Sequence, residues 1–331
     1  MGWLRVALTG LIALGVGVLG LAVASLGIIS QWGRVRPVLD IATHFAPIWL
    51  ATALVVLGYG LWLAPRGWLV AFVTLGTVGG IAWASQIVPE YLRPMSPRGK
   101  TDAPHQIKLI QFNTWGRNQD PEGTARWIVA QDPDIIVMEE VEAPMRRAML
   151  AAYPYHLACG TCSVAIFSKQ RPLASDIPET PWTGPRAPMA RATYRLAGET
   201  FSVIGVHYSW PTTGRLQQAQ GQRLAAVLDT FPESHLIVAG DFNSTPWSFA
   251  RRREDKVFGL ERRTRAVFSW PAGRISRYRV LAPFPILPID HVYAGSAWQT
   301  LEVRRGPRLG SDHYPVVVSL ALKRQTPPSR K

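Results

Sequence analysis

Cysteine is nearly missing from this chain of 331 residues: Cys159 and Cys162 are the only two. No second ligand pair accompanies them, so the sequence carries no zinc-site spacing. Their C-x-x-C pair precedes an apolar run instead of opening a helix, which is not the context of a thioredoxin-like redox centre. A local disulfide in an oxidising compartment is the expected use, ahead of two reduced, packed thiols. Acidic residues are also scarce, with 22 Asp and Glu against 36 Lys and Arg, for a net charge of +14. Charge of either sign is missing altogether from three long runs, 6–29, 41–64 and 67–89.

Those runs are long enough to cross a membrane, since a helix needs about 20 residues to span a hydrocarbon core about 30 Å thick. The first could be a cleavable signal, and Ala22-Val23-Ala24 resembles a cleavage site. Its apolar stretch exceeds the about 7–15 residues of a signal, and two further runs follow, so an anchor of three transmembrane helices is expected. Trp3, Trp32, Trp62, Trp68 and Trp83 lie towards the run ends, where amphipathic rings suit the headgroup zone. The lack of Asp, Glu, Lys or Arg within the runs argues against ion or proton transport. Residues 1–92 therefore read as a membrane anchor, 93–105 as a linker, 106–323 as a soluble catalytic domain and 324–331 as a basic tail.

Beyond the linker, periodicity shifts to α/β patterning, with no internal repeat. Residues 107–113 alternate apolar and polar and end on Asn113, as a strand with a polar tip does. Residues 121–131 read as a helix, with Pro121 in its first turn and Ala125, Ile128 and Val129 on one face. A buried strand at 134–138 ends on Glu139 and Glu140. A short helix at 142–152, a strand at 163–167, a hairpin of 192–196 and 201–208 around Gly198, a helix at 215–230 and a strand at 235–240 follow. Strands at 289–293 and 314–322 flank a segment around Leu301–Val303.

Gly240-Asp241-Phe242-Asn243 ends the strand at 235–240. Alone it would be an ordinary turn, since Gly, Asp and Asn are common turn formers. It has company, however: Asn113, Glu139 and Glu140, His207, Asp290 and His291, and Ser311-Asp312-His313 also stand at the tips of apolar strands. Singly, each has a bland explanation, such as a helix entry, a surface ion pair or a packed histidine. Together, Glu140, Asp241 and Asp312 make a hard oxygen set suited to Mg²⁺ or Mn²⁺. A cation so held would polarise a phosphoryl oxygen. A histidine steered by an aspartate can take a proton from water near neutral pH, and His313 with Asp290 is the expected pair.

Asn113, Glu140 in Met-Glu-Glu-Val, His207, Gly-Asp-Phe-Asn, Ile-Asp-His-Val and Gly-Ser-Asp-His-Tyr-Pro resemble, in order and spacing, the motifs of the endonuclease/exonuclease/phosphatase superfamily. That group includes DNase I-like nucleases, inositol polyphosphate phosphatases and neutral sphingomyelinases. The resemblance covers about 107–322. With three preceding spans, the chain looks most like the membrane-anchored branch associated with glycopeptide resistance. The resemblance implies a four-layer α/β sandwich of two mixed sheets, and a divalent-metal-dependent phosphoesterase. It implies Glu140 as principal metal ligand, with Asn113 and Asp312 beside metal and phosphate. Asp241 and Asn243 would orient the nucleophilic water, His313 would be the general base steered by Asp290, and His207 would contact phosphate or protonate the leaving oxygen. Glu139 stands where the family often has Gln. His291 has no role in the pattern and is expected to pack beside Asp290.

A phosphorylated, lipid-linked substrate fits a site tethered to a membrane. A nuclease acting on DNA or RNA is the enzymatic alternative, and a non-catalytic binding module on the same fold the other; no obligate protein partner is implied. Arg251, Arg252, Arg253, Lys256, Arg262, Arg263 and Arg265 follow the Asp-x-Asn tip, and suggest either a solvated helix face or a surface for an anionic substrate or membrane. The expected location is the inner membrane of a bacterium. A cytoplasmic N-terminus would put Arg5 and Arg66 inside and Arg34, Arg36, Arg93, Arg98 and Lys100 outside, against the positive-inside count. The cysteine pair and the resemblance favour an extracytoplasmic domain nonetheless.

Overall fold

Sustained apolar sequence without charge gives three long helices, α1 (Gly2–Ser30), α2 (Ala46–Trp62) and α3 (Leu69–Leu92). The structure is a computed structural model that describes residues 2–158, 163–178, 188–275 and 280–323. Three helical stretches, Trp3–Arg34, Pro37–Trp62 and Arg66–Leu92, are long and apolar enough to cross a membrane. The second expected span differs in its first turns: Pro37–Phe45 is a 3₁₀ segment that leads into α2. Glycine permits the close crossing of α2 and α3, as small residues do between membrane helices. A Cβ on Gly76 would stand 2.6 Å from the Leu57 nitrogen, and one on Gly60 2.7 Å from the Phe72 Cβ. The Trp83 indole donates to the Val23 carbonyl at 3.0 Å, tying α3 to α1. Leu11, Leu14, Val18, Leu21, Val55, Ile81 and Val88 are exposed, as lipid-facing side chains would be.

The helices form one unit, Met1–Arg93, which also includes Trp247–Arg252; the second unit is Pro94–Pro246 with Arg253–Lys331. Within the first unit, Asp40 accepts from the amides of Phe249 and Ala250 at 2.9 and 2.7 Å. These amides open helix α7 (Phe249–Val257), where an unpaired N–H needs an acceptor and a carboxylate suits the dipole.

The second unit is built on two six-stranded sheets. The first takes β1 (Gln106–Asn113), β2 (Ile135–Glu139), β3 (Tyr155–Ala158), β4 (Val164–Ser168), β13 (Trp298–Arg305) and β14 (Val316–Leu322), in the order β13-β14-β1-β2-β4-β3. The second takes β5 (Ala174–Asp176), β6 (Met189–Leu196), β7 (Glu199–His207), β8 (Leu236–Asp241), β9 (Glu261–Arg262) and β12 (Asp290–Ala294), in the order β5-β6-β7-β8-β12-β9. A hairpin of β10 (Gly273–Ile275) and β11 (Val280–Ala282) stands apart. β1 with β2 and β7 with β8 pair in parallel; the remaining pairs are antiparallel, so both sheets are mixed.

Side-chain alternation sorts each strand between two surroundings. Leu109, Val137, Ile166, Val203, Ala239, Val292 and Val318 meet in the core between the sheets. Ile110, Phe112, Ile136 and Met138 pack outward against α4 (Pro121–Ala130) and α5 (Ala143–Leu150) through Ile128, Met145 and Met149. Ile204, Val206 and Val238 pack outward against α6 (Gly214–Leu228) through Leu224, Val227 and Leu228. The result is the four-layer DNase I-like sandwich that the motif order implies.

The segment around Leu301–Val303, to which the sequence pattern assigns no element type, is part of β13, paired along β14 with a register shift between Thr300 and Glu302. Arg262 and Arg263 do not offer charge to a partner, for both are buried. Arg262 makes a two-pronged contact with Asp255 at 3.0 and 2.7 Å. Arg263 donates to the carbonyls of Ala294, Gly295 and Trp298. Cys159, Cys162 and the tail 324–331 lie outside the described residues.

Candidate active site

Strand register, more than loop conformation, assembles the polar tips. Asn113 stands opposite Glu139 where β1 and β2 run side by side. In the other sheet, His207 and Asp290 both stand opposite Asp241, one on each side of β8. Inward parity is shared: Asn113 follows Leu109 by four residues, Glu139 follows Val137, Asp241 follows Ala239 and Asp290 precedes Val292 by two. The last turn of polar residues on each inner face therefore meets at one edge of the sandwich.

The Asp241 carboxylate is the hub. Its Oδ2 accepts from Asn113 Nδ2 at 3.0 Å and lies 3.7 Å from His313 Nε2 and 3.8 Å from His207 Nε2. Its Oδ1 accepts from the Asn243 amide at 2.8 Å. Asn113 Nδ2 also reaches Glu140 Oε1 at 3.1 Å, and Glu140 Oε2 accepts from the Gly116 amide at 3.2 Å. Glu140 (φ 54°) and Asn243 (φ 47°) both have left-handed backbones, which non-glycine residues adopt at a cost and which cluster at functional sites. His313 Nδ1 contacts Asp290 Oδ2 at 2.9 Å, and the Ser311 hydroxyl spans from the His313 amide to the Asn113 carbonyl.

Burial and crowding set the protonation of this cluster. Burial, then the neighbouring Asp290, pushes Asp241 up to about 7. Burial alone would lower His313, but Asp290 and Asp241 outweigh it and push the imidazolium up to about 10. Burial lowers His207, against the pull of Glu140. Glu139, wholly buried, is raised well above the usual carboxylate range by burial and then by Asp290 and Asp241.

Of the eight residues expected to act, seven converge: Asn113, Glu140, His207, Asp241, Asn243, Asp290 and His313. Asn243 does so with its amide turned to the Tyr208 carbonyl at 2.8 Å, and 3.5 Å from Asp241 Oδ2. Asp312 is anchored through its backbone, where its carbonyl accepts from Ala272 at 2.7 Å, and its charge acts on His313. His291 packs on the ring of Phe242, with Nε2 2.8 Å from the Ser244 carbonyl, so it braces the Asp-x-Asn turn. His207, which has no evident partner in the sequence, has one in Ser163, whose hydroxyl is 2.7 Å from Nδ1. Residues missed in the sequence include Ser163 and Gln111. Only Gln111 carried a signal, as a polar residue at an inward position of β1. An aromatic pair was also missed: Trp210, half exposed and three residues beyond His207, meets the buried Trp270 edge to face at 5.9 Å.

Asp241, Asp290 and His313 offer ligand atoms within 4.8 Å of one another, as a metal-binding cluster would. Two of the three are already joined as the Asp290–His313 pair, so Glu140, Asn113 and Asp241 leave the better opening. An oxygen-rich donor set in which burial and mutual repulsion keep Asp241 protonated to about 7 suits a hard divalent cation, whose charge would relieve that repulsion.

The fold has counterparts among solved structures. The structure is similar to the endonuclease/exonuclease/phosphatase from Bacteroides vulgatus at 15% identity, over 66% of this chain and 99% of that one, with a TM-score of 0.55. It is similar to the endonuclease/exonuclease/phosphatase from Beutenbergia cavernae at 21% identity, over 66% and 72%, with a TM-score of 0.51. TDP2 from D. rerio, complexed with a single-strand DNA product, is similar at 16% identity over 65% and 98%, with a TM-score of 0.52. No curated protein matches the sequence significantly. The Endonuclease/Exonuclease/phosphatase family profile matches residues 110–313, from β1 to His313, and so takes in every polar tip of the cluster. A profile match over more than half the chain, on the fold those tips require, means that the chain belongs to the endonuclease/exonuclease/phosphatase family.

Proposed function

We propose that this protein is a membrane-anchored, divalent-metal-dependent phosphoesterase acting on a lipid-linked phosphate or pyrophosphate. The family consists typically of hydrolases of phosphoester bonds that depend on divalent metals. The observation that carries the reading is the meeting of a His313–Asp290 pair, the Asp241 hub and Glu140 with Asn113 at one edge of the sandwich. Glu140 and Asp241, with Asn113 between them, would hold Mg²⁺ or Mn²⁺, which when bound supplies Lewis-acid polarisation of a phosphoryl oxygen.

The chain's own residues divide the remaining work. His313 takes the proton of the attacking water, and Asp290 holds its imidazole by Nδ1 so that Nε2 faces the hub. Asp241, with Asn243 on its Oδ1, orients that water. His207, kept from ready protonation by burial and held at Nδ1 by Ser163, contacts the phosphoryl group. The catalytic domain spans 106–323, and the three helices keep it at a membrane where a lipid-linked substrate resides. The half-exposed Trp210 and the exposed Val280, Leu281 and Phe284 add apolar surface to the same unit, consistent with a substrate that carries an apolar chain.

The test is phosphate release by the full-length protein in lipid vesicles with Mg²⁺, across lipid pyrophosphates and inositol phosphates, and across sphingomyelin and DNA with added phosphatase. Lipid pyrophosphate is the expected substrate, and His313→Ala is expected to lower its turnover by about 10²–10⁴-fold with unchanged circular dichroism. Cleavage of DNA alone would move the reading to a nuclease; no turnover of any substrate would favour a binding module.

A further inference from the structure

Gln111 is an amide on the inner face of β1, at a position where alternation calls for an apolar residue. It is fully buried, 0% exposed. Its Nε2 has two hydrogens, and each finds a carboxylate: Glu139 Oε2 at 2.9 Å beside it in the same sheet, and Asp290 Oδ1 at 2.7 Å in the opposite sheet. Asp290 thereby has both oxygens committed, Oδ1 to Gln111 and Oδ2 to His313 Nδ1 at 2.9 Å. Its carboxylate plane is fixed by these two directions, while its backbone amide makes only a long 3.4 Å contact with the Ser269 hydroxyl. A carboxylate held at one oxygen alone can turn about its terminal torsion, which is broad. Held at both, it presents a single lone pair to the histidine.

We propose that Gln111 is a positioning residue of the reaction, fixing Asp290 across the two sheets so that His313 keeps its Nε2 on the Asp241 hub, with Glu139 serving as the acceptor that orients the Gln111 amide. This rests on the reading of Asp290 and His313 given above. The two partners have unequal requirements. At 111 a donor is needed, because two carboxylates must be satisfied by one group. At 139 only an acceptor is needed, and a glutamine oxygen supplies one. A buried amide with no task beyond bracing the sheets would show itself in stability and leave the chemical step alone.

The experiment uses full-length protein with Mg²⁺ and bis(p-nitrophenyl) phosphate, reading kcat, KM and thermal midpoint for Gln111→Met, Gln111→Asn, Glu139→Gln and His313→Ala. Gln111→Met keeps the length and loses the donor; Gln111→Asn keeps a donor that is one methylene short, and serves if the Met variant does not fold. Both are expected to lose kcat by about 10–100-fold with KM changed by less than about threefold, as for a group acting only at the transition state. Glu139→Gln should keep kcat within about threefold. In the His313→Ala background, Gln111→Met should cost nothing further, because it acts through His313. A folded Gln111→Met protein with wild-type kcat, or one losing equally in both backgrounds, overturns the proposal. Full activity of His313→Ala would instead remove the base assignment on which it rests.

A second readout is independent of turnover. In protein labelled with ¹⁵N-histidine, the Nδ1 proton of His313, assigned through His313→Ala, should resonate downfield in wild type and in Glu139→Gln and vanish by exchange in Gln111→Met. Its persistence in Gln111→Met would overturn the proposal even if the probe is not cleaved.

Discussion

His313 is held between two carboxylates that keep it charged. With the imidazolium pushed up to about 10 by Asp290 and Asp241, the cation-free site carries its proton on His313 at neutral pH. A general base must be unprotonated, so turnover should rise with pH from neutrality towards about 10. Positive charge placed beside Asp241 weakens the field that holds the proton, so raising Mg²⁺ should move that rise to lower pH. Rate–pH profiles at two Mg²⁺ concentrations check both parts; a rate that falls with rising pH above neutrality would exclude His313 as the base. The histidines and carboxylates were legible as residues because each ends an apolar strand. Their partners were not. Ser163 lies 44 residues from His207, and Gln111 lies 179 from Asp290, so both contacts arise only from which strands face each other. Nothing local in the sequence records that.

Strands and helices fix where such tips can meet. In the membrane unit, the α2–α3 crossing depends on the missing side chain at Gly76, where a Cβ would enter the Leu57 backbone at 2.6 Å. Gly76→Val should destabilise the helix pair by about 1–3 kcal/mol, the usual cost of overpacking. The check is the thermal midpoint of detergent-solubilised protein, with the exposed Val78→Ala as a neutral control. An unchanged midpoint for Gly76→Val would mean that α2 and α3 do not pack closely there. Elements with a single period were legible from sequence: β1, β2, β4, β6, β7, β8, β12 and β14, the helices α4, α5 and α6, and all three apolar runs. Short pieces were not. Strands such as β5, β9, β10 and β11 have two or three residues, too few for alternation to show. Helix α7 was legible only as one of two readings of the Arg251–Arg253 cluster, because its sequence is rich in Arg, Glu and Asp and Asp40, distant in sequence, satisfies its first amides.

At the scale of the molecule, a family sandwich follows a stretch of three helices able to cross a membrane, in a chain of net charge +14. Arginine burial changes what that charge does: Arg251, Arg262 and Arg263 are buried, so the attraction to anionic surfaces falls to the remaining basic residues. An extracytoplasmic catalytic domain predicts that a membrane-impermeant protease degrades it in intact spheroplasts, and that Cys159 and Cys162 resist alkylation without reductant. Protection of the domain together with free alkylation of both thiols would place it in the cytoplasm, with a substrate on the inner leaflet.

The most direct measurement follows phosphate release by the membrane-embedded protein through a cycle of chelation and Mg²⁺ return, for wild type and Glu140→Gln. Glu140→Gln keeps the shape of the side chain and removes its charge. Activity should stop in chelator and return with Mg²⁺, and Glu140→Gln should need a higher Mg²⁺ concentration to reach half its maximum. Undiminished phosphate release in excess chelator would contradict the account.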